Sequence, residues 1–275
     1  MSFYMIDSHQ RFWQQAQPLE RKPIRRRFLP EDIEPLLEQV SVDQTVFVQQ
    51  EHSADANRWA FELAEKHAFI GGIVAWADLG ASDFRQQFDE LHEHPKFVGV
   101  THRVDEEADD DFVVRDDVLT NLKVLEKHRV PFDLLFQPHH LKHAATLGRE
   151  LPELPMVIDH LARPPVKSGK LDGWAEDIKA AAACDQMYCK LSGLITQADS
   201  KNWTVGDLRP YVHTALEAFG PERCMFGSDW PICELAATYQ QTYQGIVNTL
   251  TELSHDERMQ ILGKTAARFY NLKTA

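Results

Sequence analysis

The sequence is short of cysteine, of net positive charge and of long apolar runs, and each shortage removes a class of protein. Its four cysteines, Cys184, Cys189, Cys224 and Cys233, form no C-x-x-C pair and lack the density of a disulfide-built secreted scaffold. Cys189 and Cys224 sit inside apolar runs, where a thiol acts as a small hydrophobe. Reduced thiols and a cytoplasmic location are therefore expected. No stretch approaches the roughly 18 consecutive apolar residues that a membrane span needs, and Met1–Asp7 lacks the basic-then-apolar pattern of a signal peptide. A formal net charge of −13 and a pI near 5.4 argue against nucleic acid and anionic membrane as partners. The basic cluster Arg21-Lys22 with Arg25-Arg26-Arg27 is too short to reverse that balance.

Two chemical signatures are missing as well. No G-x-G-x-x-G follows the first apolar run, which removes the fingerprint of a dinucleotide site. No G-x-S-x-G turn is present to carry a serine nucleophile. What is present is a chain of 275 residues, 43% hydrophobic and 26% charged, enough for two ordinary domains or for one α/β barrel of roughly 250 residues.

Short apolar runs alternate with amphipathic segments throughout. Strands are predicted at Phe3–Ile6, Thr45–Val48, Phe69–Trp76, Phe97–Val100, Phe132–Phe136, Met156–Ile158, Met187–Leu191 and Cys224–Phe226, each followed by helical spacing of apolar residues. Pro30-Glu31-Asp32 opens the first helix and Ser53 caps the second. Two terminal helices are expected near Glu234–Leu253 and Asp256–Tyr270. Eight strand–helix units without a linker or low-complexity break predict one (β/α)₈ barrel over residues 1–275, with a doubly wound sheet as the less fitting rival.

A barrel places its chemistry at the C-terminal ends of its strands. Those ends carry Asp7 and His9, Gln50 and Glu51, Trp76 and Asp78, His102 and Arg103, Gln137 and His139, Asp159 and His160, Lys190 and Ser192, and Asp229. The strand starts are plainer: Phe69, Phe97, Pro131, Pro155. Asp229 follows a buried run, Cys224-Met225-Phe226, that stops at Gly227 and is closed by Pro231. It reads either as a reactive carboxylate or as a turn cap, and the company of polar groups at the other strand ends favours the former. His139 and His140 follow Pro138 as first-turn residues of a helix, while His92, His94, His128, His143 and His255 read as solvated. Trp13 and Trp76 either wall a pocket or pack, and Gln50 is a binding amide.

The ordered set Ile6-Asp7-Ser8-His9-Gln10-Arg11-Phe12-Trp13, Phe28-Leu29-Pro30-Glu31-Asp32, Phe97-Val98-Gly99-Val100-Thr101-His102, Pro131-Phe132-Asp133-Leu134-Leu135, Val157-Ile158-Asp159-His160-Leu161-Ala162-Arg163-Pro164, Lys190-Leu191-Ser192-Gly193, Phe226-Gly227-Ser228-Asp229-Trp230-Pro231 and Thr265-Ala266-Ala267-Arg268-Phe269-Tyr270 resembles the amidohydrolase superfamily. The resemblance is to its amidohydrolase-2 branch of sugar lactonases, similar to L-fuconolactonase and L-rhamnonolactonase. It implies a distorted (β/α)₈ barrel and hydrolysis of a small sugar lactone in carbohydrate catabolism. Asp229 would activate water with His9 and His160 beside it, and His102 would contact the substrate carbonyl.

One departure bears on metal. The wider superfamily has His-x-His after the first strand, whereas Arg11 fills the second position here. Arginine stays protonated and offers a cation no lone pair, so a binuclear site is not expected. His9, His160 and Asp229 remain a possible three-ligand set for one divalent ion such as zinc, and the lactonase branch includes members that work without metal. The expected reaction needs no cofactor. Asp229 serves as base and then acid, Arg11, His102 or His160 stabilise the oxyanion, and Arg11, Trp13, Gln50, Trp76, His102 and Trp230 surround the sugar. The alternatives are a mononuclear zinc hydrolase or decarboxylase, and a catalytically silent barrel that binds a sugar acid. Which lactone is used and the oligomeric state are not written in the sequence.

Overall fold

Eight parallel strands pair in sequence order: β1 (Ile6–Gln10), β2 (Gln44–Val48), β3 (Ile70–Trp76), β4 (Phe97–His102), β5 (Phe132–Leu134), β6 (Met156–Ile158), β7 (Met187–Leu191) and β8 (Cys224–Phe226). The computed structural model describes residues 4–14 and 24–273, so Arg21 and Lys22 lie outside the described residues. Closure of the ring falls to backbone bonds just past the strand ends. Asp229 N donates to His9 O at 2.9 Å and Arg11 N donates to Trp230 O at 2.9 Å. The result is the expected (β/α)₈ barrel, nearly closed, with helices around it.

Strand alternation sorts the core into two shells. Phe47 faces out, clustering with Ile33 and Leu37 of α1 (Pro30–Val40) and with Phe61 of α2 (Ala54–Lys66). Val46 and Val48 face in, joining Ile6, Val74, Val157 and Met225. Further round, Phe132 and Leu134, Met156 and Ile158, and Cys189 and Leu191 belong to the outer shell. The same alternation therefore turns Asp133, Asp159 and Lys190 inward. Ala266, Phe269, Tyr270 and Leu272 from the C-terminal segment pack against the inner cluster.

Local chemistry accounts for several boundaries. Ser53 Oγ accepts from Ala56 N at 3.0 Å, the expected cap of α2. The helix of residues 205–219 is observed as expected. Several segments differ, among them the helix expected near Glu234–Leu253, which is observed over Tyr239–Val247. The first described strand is Ile6–Gln10, so it reaches beyond the expected end at Ile6 and takes in Asp7 and His9, while the expected start at Phe3 lies outside the described residues; a register shift between Asp7 and Gln10 re-aims the side chains there. His102 is the last residue of β4. The expected last helix is broken by a π turn at Gln260–Lys264. Among the described residues no helix is long and apolar enough to cross a membrane.

Candidate active site

Asp229 sits just beyond β8 at φ +55°, in left-handed backbone that non-glycine residues rarely adopt. His160 begins a more extreme case: His160, Leu161, Ala162 and Arg163 all have φ between 52° and 55°. Each such residue costs about 1–2 kcal/mol, and the surroundings hold the run in place. Trp174 Nε1 donates to Leu161 O at 2.7 Å, Arg163 N to His160 O at 2.8 Å, and Arg163 Nη1 to Asp105 Oδ2 at 2.8 Å. Strain maintained in this way is characteristic of functional sites. The consequence is that His160 lies over the barrel, where Gly193 (φ +66°) leaves room; a Cβ there would stand 2.9 Å from the imidazole.

The structure brings together His9, Arg11, Gln50, His160 and Asp229. Arg11 Nη2 donates to Asp229 Oδ1 at 3.0 Å, and Arg11 Nη1 donates to Gln50 Oε1. His160 Nε2 is 3.8 Å from the same Asp229 oxygen, and the His9 and His160 rings meet edge to face at 4.4 Å. His160 Nδ1 lies 2.8 Å from Ser192 Oγ, which orients the ring. Burial alone would raise the Asp229 carboxyl, but His160, Arg11 and His9 outweigh it and hold it below the ordinary range. Burial pushes His160 down to about 3 and, with Lys190 nearby, His9 well below its usual value. At neutral pH both imidazoles are uncharged and Arg11 is the permanent cation beside an ionised Asp229.

A second charged layer lies against His9. Lys190 Nζ is 2.5 Å from Asp133 Oδ2, 3.0 Å from Asp159 Oδ1 and 3.3 Å from His9 Nδ1. Tyr270 OH is 2.9 Å from both Asp133 oxygens. All of these charged side chains are fully buried. Burial would lower the Lys190 ammonium, yet Asp133 and Asp159 more than offset it and raise it. Burial pushes Asp133 upward against the pull of Lys190. Asp7, on β1, serves the frame instead. It accepts from Ser228 N at 2.8 Å, from His9 N at 3.2 Å and from Tyr239 OH at 3.1 Å.

Trp13 lines a small cavity of about 80 Å³ with Arg11, Gln50 and Arg103. Trp76 lines a larger cleft of about 580 Å³ between α2 and α3 (Phe84–His92), together with His52, Asn57 and Gln87 and without any member of the Asp229 group. The Trp230 side chain is 0% exposed, packs on Phe12 and Phe28, and donates Nε1 to Glu234. His102 is buried too, with Nε2 2.8 Å from Glu107 and Nδ1 3.0 Å from Ala77 O, which commits its ring nitrogens within the chain. His143, expected to be solvated, is buried against Asp110 O.

Asp133 and Tyr270 are the groups that strand-end reasoning passed over, and Lys190, which it did name, was given no role. A carboxylate between Phe132 and Leu134, and an ammonium between Cys189 and Leu191, were the available signal: a charge in a buried run needs a partner. Tyr270 had none.

His9, His160 and Asp229 each offer a donor atom within 4.8 Å of the others, and Nε2 of both imidazoles is buried without a hydrogen-bond partner among the described residues. Neutral imidazoles and a carboxylate so placed fit a single divalent ion such as zinc. A second set, His9, Asp133 and Asp159, meets the same spacing, but Lys190 Nζ stands among those atoms.

Along residues 6–272 the chain matches the sequence model of the amidohydrolases. It belongs to the amidohydrolase family. This amidohydrolase is 32% identical over 280 residues to an L-fucono-1,5-lactonase of Burkholderia ambifaria, covering 98% of this chain and 96% of the relative. An L-fucono-1,5-lactonase of Burkholderia multivorans is also 32% identical, over 99% of this chain and 97% of that protein. The crystal structure of a Burkholderia multivorans amidohydrolase with bound zinc superposes with a TM-score of 0.93 at 31% identity, covering 98% of this chain and all of the other.

Proposed function

We propose that this amidohydrolase opens a small sugar-acid lactone, with Asp229 as the base that activates the attacking water. The observation that carries the reading is a buried carboxylate kept ionised by Arg11, beside two neutral imidazoles. The two L-fucono-1,5-lactonases similar along nearly the whole chain support the substrate class.

A lactone is an ester, so its carbonyl needs less electrophilic help than an amide. Asp229 takes a proton from water as oxygen attacks the carbonyl carbon, then returns it to the ring oxygen as the acyl C–O bond breaks. The oxyanion needs preorganised donors. Arg11 supplies the fixed positive charge, and its Nε, buried without a partner, has an N–H to spare. Gln50 spends Oε1 on Arg11 and leaves Nε2 buried without a partner, an amide donor for a sugar hydroxyl. Trp13 walls the small cavity above them.

Were a divalent ion bound, His9, His160 and Asp229 would hold it and it would supply Lewis-acid polarisation. The unpartnered Nε2 atoms favour this as the second reading. A panel of aldonolactones followed with a pH indicator, before and after chelation, tests both. Turnover that survives metal removal supports the Asp229 mechanism as written. Turnover lost to the chelator and restored by zinc supports the second reading, and no turnover of any lactone contradicts both.

A further inference from the structure

Among the buried charges that the proposed chemistry leaves unused is Lys190. An ammonium has three N–H donors and no lone pair, and Lys190 Nζ has three acceptor-capable neighbours: Asp133 Oδ2 at 2.5 Å, Asp159 Oδ1 at 3.0 Å and His9 Nδ1 at 3.3 Å. The third contact decides where the His9 proton resides. His9 Nδ1 also lies 3.4 Å from Asp159 Oδ1, so two arrangements compete. If Nδ1 carried the proton and turned it to Asp159, an N–H of Lys190 would face an N–H of the imidazole at 3.3 Å. If Nδ1 accepts from Lys190, the ammonium has hydrogen-bond acceptors in Asp133 Oδ2 and His9 Nδ1, keeps Asp159 as an ion-pair partner, and the imidazole proton sits on Nε2.

We propose that Lys190 is a positioning residue which, by donating to His9 Nδ1, fixes the His9 proton on Nε2, so that His9 presents an N–H donor toward Asp229 and His160. The buried Nε2 has no partner within the described chain, so that N–H is available to an oxygen of a bound molecule. In the lactone reaction, on which this role for the N–H rests, the oxygen is the carbonyl oxygen as it becomes an oxyanion. The same assignment weakens His9 as a metal ligand, because the lone pair a cation needs is turned toward Lys190. Lys190 also supplies, as a tethered monocation, the positive charge that His9, Asp133 and Asp159 would otherwise draw from a second ion.

The test begins with the wild-type protein labelled with ¹⁵N in histidine, whose long-range ¹H–¹⁵N correlations report which ring nitrogen bears the proton; His9→Gln identifies the His9 signals. The expected result is a His9 protonated on Nε2 at neutral pH. Protonation on Nδ1 overturns the proposal, and this reading requires no variant at Lys190 to fold. The second arm uses Lys190→Met combined with Asp133→Asn, which removes one cation and one anion together. His9 should then move its proton to Nδ1 and donate to Asp159. Zinc affinity measured by calorimetry should rise by roughly ten- to a hundred-fold, the range over which groups behind a ligating histidine act. An unchanged tautomer and unchanged zinc affinity in the folded double variant also overturn it. Lactone turnover is scored separately: a wild type with the Nε2 proton but no turnover removes the proposed reaction and leaves the Lys190 assignment standing.

Discussion

Asp7 and Asp229 are both buried carboxylates at the junction of β1 and β8, yet their proton equilibria move in opposite directions. Asp229 has Arg11 and two imidazoles against it and is held low, whereas burial dominates at Asp7 and pushes it up from 3.8 to about 6. Two predictions follow from the signs. The Asp229 base works only when ionised, so activity is lost as pH falls through its depressed folded value, below 3.8. Arg11→Met removes the adjacent charge and should shift the acid limb of the kcat/KM profile upward, as well as lowering kcat. Asp7 is the reverse case. Its protonated form is favoured in the folded state, so its stabilising contribution is complete below 3.8 and is lost as pH rises through about 6. Asp7→Asn keeps an oxygen for Ser228 N and His9 N and removes the buried charge. It should raise stability at pH 7 by on the order of 1–3 kcal/mol and change it little near pH 4, as denaturant melts at the two pH values would show. At this scale the sequence was readable where a polar side chain follows an apolar run, as at His160 and Asp229. The packing of Trp230 on Phe12 and Phe28 was unreadable, because those neighbours come from other parts of the chain.

Among the elements, the loops after β6 and β7 depend on one another. The left-handed run His160–Arg163 puts the imidazole against Gly193, and Ser192 Oγ orients it. Gly193→Ala would combine positive-φ strain of about 1–2 kcal/mol with a Cβ 2.9 Å from the His160 ring. It should lower both Tm and kcat. Gly169 is the control, with φ +67° but nothing within 4 Å of a built Cβ. Gly169→Ala should lower Tm and leave kcat as it is; a matching loss of kcat in both variants would contradict the account. The strands themselves were legible to within a residue or two wherever an apolar run was bounded by turns, as in β6, β7 and β8. β1 was not, because its Ile6-Asp7-Ser8-His9-Gln10 run is mostly polar and is buried only by the barrel it helps to close. No local pattern announces the left-handed run, since tertiary contacts from Trp174 and Asp105 sustain it.

For the molecule as a whole, eight repeated units were enough to read the barrel, because each unit shows its own period. The layer beneath the site was hidden, because its members come from β5, β7, the residue that follows β6 and the C-terminal segment; Tyr270 meets Asp133 across 137 residues. That layer gives the barrel an internal cation in Lys190, and Arg11 gives the site another, so the proposed hydrolysis runs on charges the chain carries itself. The direct measurement is kcat for an aldonolactone substrate with chelated, metal-free wild type and with Asp229→Asn, whose fold is verified by circular dichroism. The account predicts turnover by the metal-free wild type and a loss of about 10²–10⁴-fold in the variant, the usual contribution of a general base. Near-wild-type turnover by folded Asp229→Asn would contradict it.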